Sequence, residues 1–472
     1  MTRKMILLEL NEVPFKVIDY FVNKHPNSAL AFTLSKSKQY VTYTEDKGHL
    51  HPWSTWPTVH RGVDNQTHQI KDFGENLDDL NKKYPAIWQI LNQSNINTGV
   101  FGSLHSYPLP KNVNSYSFYI PDTFAWGPET HPKNIEAFQA FNLSMVKSSA
   151  RNVNSGLDKK AALRFGAKIF SMGVRNKTLL SVVDQLISEK ISPWKVTRRR
   201  SFQSIVGFDI FLKQLKKNKP DFCTFFSNHV AATMHRYWAA TFPEDYDEFH
   251  LSEEWKLKYQ GEIEYAMLKF DAFLKDILSF ISKNPSYKLI IASSMGQEST
   301  KAIEQKSELM AKNSALFLSK FGIQSSDYQE LPAMHPQYNF TFHSDNTRQK
   351  LIDDLLGFKI KGNPVKTRTK DNGFLSIDFG HINLEDGDIS LNEKPIKDVD
   401  FGLENVPIQE EASGTAYHTS EGSLIIYSAQ YQLVNTRQEG VNTKSIAPSI
   451  LKYFKLNPPD YMRKDTIPEI VG

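Results

Sequence analysis

The chain has 472 residues, 40% of them apolar, and a formal net charge of only +4. This is more than the roughly 250–300 residues at which a single core usually stops growing, so one large domain with insertions is expected. Lys and Arg alternate with Asp and Glu along most of the sequence, which argues against a nucleic-acid partner, and the single cysteine, Cys223 in the apolar run FCTFF, excludes an internal disulfide framework and fits a cytoplasmic protein.

In chain order, Met5–Leu10 is a short apolar run bounded by polar residues, which suits a strand buried on both faces of a parallel sheet. It is too short for the core of a secretory signal. Asn11 and Glu12 follow it at once. Similar runs recur at Thr98–Gly102, Phe222–Ser227, Leu289–Ser293 and Ser423–Tyr427, each followed by polar or small residues. Between them Glu253–Ile281 carries apolar residues mostly three or four apart, which predicts a helix.

Residues 136–219 are mostly helix-like, with Ala161–Met172 and Leu179–Lys190 as predicted helices, and are read as an inserted helical cap. The basic stretches Lys195–Arg200 and Lys213–Lys219 are read as solvated helix faces. Residues 332–407 are rich in Gly, Asp, Asn and short alternations and are expected to form a second, loop and hairpin insertion. No segment approaches the roughly 18 uninterrupted apolar residues of a membrane helix. The expectation is a single α/β domain over residues 1–472, with a mostly parallel central sheet covered by helices on both faces. Such sheets place their chemistry at the C-terminal ends of the strands.

The segments at those ends share an order. Thr55-Trp56-Pro57-Thr58 lies between the first and second expected strands, Ala231-Ala232-Thr233-Met234-His235-Arg236-Tyr237 follows a middle one, and Ser293-Ser294-Met295-Gly296 a later one; His418 and Gly422 precede the last apolar strand, and Ile446–Leu451 with Pro458-Pro459 closes the chain. This series resembles the alkaline phosphatase superfamily, most closely its type I phosphodiesterase and nucleotide pyrophosphatase branch. The resemblance spans nearly the whole chain outside the two insertions.

It implies that Thr55 stands at the nucleophile's position, at a strand end. It also implies one metal site at Ala231, His235 and His418 and another at Asn11, Thr55, Ser294 and Met295. Two divalent ions roughly 4 Å apart would activate the hydroxyl and neutralise the transferring group. An alanine cannot ligate, and a thioether is a poor ligand for zinc or magnesium. The usual two-metal site is therefore not expected: either no metal binds, or one zinc-like ion binds at His235 and His418 with Glu9, Glu12, His229 or Glu298 in place of the missing carboxylate.

Thr55, His60, His235 and His418 are the candidate catalytic residues, His60 as a base for Thr55. Asn11, Thr58, Asn228, His229, Arg236 and Ser294 are the candidate substrate-binding residues, with Asn228 and His229 expected to face the cleft. His335, Tyr338 and His343 belong to an insertion that overhangs the cleft in this fold, where loop packing is the competing reading. Trp53, Trp56, Tyr107, Phe124 and Trp126 either fill core or stack on a ligand. The functional expectation is transfer or hydrolysis of a phosphoryl, sulfuryl or related group on a small-molecule or glycan substrate. The alternative is a non-catalytic relative that binds an anionic or glycan ligand or a partner enzyme.

Overall fold

The computed structural model describes residues 3–147, 159–248, 251–300, 306–333, 336–370, 372–407, 414–432 and 435–472. Its centre is an eight-stranded sheet in the order Thr436–Asn442, Ser37–Tyr43, Glu421–Ser428, Tyr287–Ala292, Lys4–Leu10, Phe222–Ser227, Thr98–Phe101 and Phe118–Ile120. Every neighbouring pair is parallel except those made by Glu421–Ser428, which runs against both of its neighbours. The first strand lies between Tyr287–Ala292 and Phe222–Ser227, with Leu10 opposite Ser227 and Glu9 opposite Ala292. Asn11, Asn228 and Ser293 therefore leave the sheet together, at the C-terminal ends of three neighbouring central strands.

Alternation along each strand feeds two cores. Ile6, Leu8 and Leu10, with Cys223, Phe225, Leu289 and Ile291, pack on one side; Met5, Leu7, Phe222, Ile290 and Ala292 pack on the other. Full burial of each such aliphatic side chain is worth about 1.5–3 kcal/mol, so a one-residue slip of any central strand would be heavily penalised. Helices Phe15–Lys24, Arg199–Asn218, His229–Thr241 and Glu262–Lys283 cover the first side, and Pro52–Arg61, Ile87–Gln93 and Ile446–Tyr453 cover the second.

The predicted helix over Glu253–Ile281 is two helices, Glu253–Tyr259 and Glu262–Lys283, separated at Gln260 and Gly261. The Ser252 hydroxyl caps the first by accepting from the Trp255 amide at 3.1 Å. The segment after residue 136 holds helices Glu136–Lys147, Lys159–Met172, Asn176–Ile191 and Arg199–Asn218. Residues 307–407 hold small antiparallel sheets around their own apolar cluster of Leu309, Phe317, Phe340, Phe358 and Ile377. Polar ties dock this unit beside the main sheet: Arg368 to Asp72, Lys370 to Glu75 and to the Gln69 carbonyl, and Asn339 to the Phe73 carbonyl.

Candidate active site

The site is built where four chain segments leave the sheet. Glu12 follows Asn11 after the first strand and has a φ of 60°, a left-handed conformation that costs a residue other than glycine on the order of 1 kcal/mol. Its carboxylate is buried. Oε1 accepts from the Asn11 amide at 2.7 Å, and Oε2 accepts from Gln297 Nε2. The same Oε2 lies 2.9 Å from His235 Nε2 and 3.4 Å from His418 Nε2.

Both imidazoles are held from behind. His235 Nδ1 is 2.9 Å from the Ala416 carbonyl and His418 Nδ1 is 2.6 Å from the Leu50 carbonyl. A carbonyl only accepts, so each Nδ1 carries the hydrogen, and each Nε2 is turned on the carboxylate. A bare nitrogen lone pair aimed at an anionic oxygen is repulsive; the arrangement calls for a proton or a cation between them. One atom from each of Glu12, His235 and His418 lies within 4.8 Å of the others. Burial opposes ionisation of Glu12, but the charges of His418 and His235 and their hydrogen bonds outweigh it and hold the carboxyl well below its usual range.

Strand pairing sets this geometry. Ala416–Thr419 runs antiparallel to Gly296–Ser299 with His418 opposite Gln297, so the imidazole and the amide that grips Glu12 arrive in register. Gly296 permits the approach: a Cβ there would sit 2.2 Å from the Glu421 carbonyl oxygen.

Thr55 lies in the first turns of helix Pro52–Arg61, not at a strand end. It is fully buried, and its hydroxyl is 2.7 Å from Ser294 Oγ and 3.2 Å from the His51 carbonyl. The consecutive carbonyls of Leu50 and His51 thus bind His418 and Thr55. A second link runs from Trp56 Nε1 to Asn11 Oδ1 at 2.8 Å, and Asn11 Nδ2 donates to Asn228 Oδ1 at 2.7 Å. The structure therefore brings Thr55, His235, His418, Asn11, Asn228 and Ser294 into one connected group with Glu12.

The other predicted residues are placed elsewhere. His60 is buried with its Nε2 2.9 Å from Glu9 Oε1, stacked on Trp56 and edge-on to Trp88; its hydrogen bond goes to Glu9 and not to Thr55. Thr58 donates to Asp46 at 2.8 Å and meets His68 Nε2 at 3.1 Å. His229 does not face the cleft: Nε2 reaches the Ala266 carbonyl at 3.0 Å and Nδ1 meets the Ser227 hydroxyl at 2.8 Å, and burial pushes its pKa down to about 4. Arg236 donates to the Ala232 carbonyl at 2.6 Å. Of the four acids and imidazoles considered for the missing ligand, only Glu12 reaches His235 and His418; Glu9 pairs with His60 and Glu298 is exposed. Met295 is fully buried. Tyr338 is buried in strand Gln337–Phe342, His343 is exposed, and His335 lies outside the described residues.

Two participants had no strong sequence signal. Gln297 fixes Glu12 from the strand after Gly296 and also donates to the Ala231 carbonyl at 3.2 Å. His51 stacks on Trp53 with ring centroids 4.3 Å apart and meets His418 edge-on at 5.5 Å. Its Nδ1 is buried without a hydrogen-bond partner, and burial, reinforced by the charge of His418, lowers its pKa to about 3.

No protein-family model matches the chain, and no curated protein matches it. Among solved structures it is similar to murine ectonucleotide pyrophosphatase/phosphodiesterase 5, with 10% identity, a TM-score of 0.41, and coverage of 97% of this chain and 96% of that one. The human counterpart gives 9% identity and a TM-score of 0.39, with coverage of 98% and 97%. Phosphonoacetate hydrolase from Sinorhizobium meliloti, in complex with phosphonoformate, gives 11% identity, a TM-score of 0.41, and coverage of 94% of each chain.

Proposed function

We propose that the protein is a divergent enzyme of the alkaline phosphatase superfamily that transfers or hydrolyses a phosphoryl or related anionic group, with Thr55 as nucleophile and a single divalent ion held by Glu12, His235 and His418. One observation carries the reading: two imidazoles with their Nδ1 hydrogens fixed on backbone carbonyls turn both Nε2 atoms on one buried carboxylate. Structural ion pairs do not require that preparation. Metal-ligating histidines characteristically do, because the second hydrogen bond fixes the tautomer and leaves the other lone pair for the ion.

The donor set suits one ion and not two. Two imidazoles and a carboxylate are zinc-type ligands with room for a fourth. At the positions that the resemblance assigns to a second ion, Asn11 spends both ends of its amide on Trp56, Glu12 and Asn228, Ser294 is bonded to Thr55, and Met295 offers a thioether. An ion at Glu12, His235 and His418 would supply positive charge against an oxygen of the transferring group.

The protein's own groups do the rest. Thr55 Oγ presents an oxygen fixed by its bonds to Ser294 and the His51 carbonyl, so its lone pair is oriented before substrate arrives. Among the described residues no carboxylate or imidazole hydrogen-bonds this hydroxyl, and an unassisted threonine is a weak nucleophile. Ionisation of Thr55 therefore depends on cationic charge close to it. The Asn11 and Asn228 amides supply neutral polarity in place of a second ion.

The competing reading, a cleft that binds an anion without turnover, draws on that same missing base. Elemental analysis of the purified protein, joined to a screen of aryl phosphates, phosphodiesters and sulfate esters with wild type and Thr55→Ala, separates the two. Bound zinc-like ion and activity lost on substitution support the enzyme. Ligand binding unchanged in Thr55→Ala, with no ion and no turnover in wild type, sinks it.

A further inference from the structure

Among the described residues, seven of the fourteen large apolar side chains that lie open on the surface fall within residues 163–191. Helix Asn176–Ile191 is inverted relative to an ordinary surface helix: it buries Thr178 and Gln185 and exposes Leu180, Val183, Ile187 and Ile191. These four are spaced three, four and four residues apart, so they form one stripe. Leu180 is 70% exposed and Ile191 77%. The preceding helix, Lys159–Met172, buries Phe165 and Met172 and exposes Leu163 at 74% and Phe170 at 62% on its other side. Scattered exposed leucines need no explanation, but an apolar stripe along one helix, with two more large apolar side chains open on the helix before it, marks a docking surface.

The charge around the stripes identifies what covers them. Residues 159–200 contain eleven Lys and Arg against Asp184 and Glu189, in a chain whose formal net charge is +4. Arg175, Arg198 and Arg199 are paired with Asp209 and Asp276, with Glu262, and with Glu189. Arg164, Lys168 and Lys190 are exposed beside the apolar residues. A symmetric pairing of two copies would set this excess of positive charge against itself. An anionic bilayer both attracts it and takes up the leucine, isoleucine and phenylalanine side chains.

We propose that helices Lys159–Met172 and Asn176–Ile191 form a membrane-surface anchor that seats the protein on anionic lipid. The helices lie in the interface without crossing it, since no described helix is long and apolar enough to span a bilayer. This surface lies outside the Glu12, His235, His418 and Thr55 group, and the inference stands or falls separately from the catalytic reading.

Co-sedimentation of the full chain with vesicles tests it. Binding to mixed phosphatidylglycerol and phosphatidylcholine is expected to exceed binding to pure phosphatidylcholine by ~10-fold or more and to weaken sharply in high salt. The triple change Arg164→Glu, Lys168→Glu, Lys190→Glu should lose binding by ~100-fold or more, at roughly fivefold for each basic residue removed. Leu180→Ser with Ile187→Ser and Ile191→Ser should lose it by ~10-fold or more at an unchanged thermal midpoint, since these residues are already in water. Failure of the wild type to bind, or binding by either variant undiminished from wild type, overturns the proposal. So does a concentration-dependent dimer that the serine changes abolish, without vesicle binding, which would give the face to a second copy.

Discussion

His235 Nε2 lies 2.9 Å from Glu12 Oε2 while its Nδ1 lies 2.9 Å from the Ala416 carbonyl, so the ring is gripped by an acceptor on each side. Replacing the carboxylate with its neutral isostere keeps the shape and removes the charge. Glu12→Gln is expected to lower affinity for zinc by ~100-fold or more, as loss of an anionic ligand should exceed the 10- to 100-fold typical of losing an outer-shell partner. Isothermal titration with zinc checks this. Unchanged affinity would assign the three residues to a structural ion pair.

Thr55→Ala should lower kcat by ~1000-fold or more while shifting substrate affinity only a few fold, because Thr55 contributes the bond-forming oxygen and not the binding surface. Thr55→Ser should retain activity within ~10-fold. Ser294→Ala removes one of the two groups that orient the hydroxyl and should cost an intermediate amount, also in kcat. Steady-state kinetics on the best ester from the screen separates these cases; equal loss in Thr55→Ser and Thr55→Ala would argue against a hydroxyl nucleophile.

Much of this was legible in the sequence for a physical reason. Strands buried on both faces read as nearly continuous apolar runs, so Met5–Leu10 and Phe222–Ser227 announce themselves and the residues after them are placed with them. Glu12 came into view that way, as one of four candidates. What sequence could not supply was direction. His60 follows Thr55 by five residues, which rotates it about 140° around the helix and into the core against Glu9. His229 turns the same kind of corner toward Ala266. Gln297 and the carbonyls of Leu50 and Ala416 act only through pairing of distant segments, and no local pattern marks them.

The placement of His60 has its own consequence. Glu9 is fully buried, with Oε1 bonded to His60 at 2.9 Å and to the Ser103 hydroxyl at 3.1 Å, and Oε2 without a partner. His60→Ala would leave Glu9 with the Ser103 hydroxyl as its remaining partner and is expected to cost about 1–3 kcal/mol of stability. Metal content and the kcat of the folded fraction should stay near wild type. Urea denaturation paired with kinetics tests this, and a collapse of kcat at unchanged stability would restore His60 as a catalytic group.

Acid should weaken the fold well above the pH at which carboxylates ordinarily protonate. Burial lowers His68 and His105 to about 3 and His229 to about 4, each despite a hydrogen bond that favours the charged form. All three are neutral in the folded protein, whereas in the unfolded chain they titrate near 6.5. Below about pH 6.5 the unfolded state takes up protons that the folded state refuses, so stability falls with pH by about 1.4 kcal/mol per unit for each histidine until the folded values are reached. Asp72 and Asp122 oppose this: burial raises both to about 6, so the folded state holds protons that the unfolded chain releases, and these two gain stability as pH falls from about 6 to 4. His51, lowered by burial to about 3, adds to the loss in the same sense, so the histidines outweigh the two carboxylates, and their loss begins first. The urea midpoint should therefore decline from pH 7 to pH 4.5. His229→Phe should flatten the decline by about one histidine's share, and a midpoint constant over that range would contradict the neutral assignment of these rings.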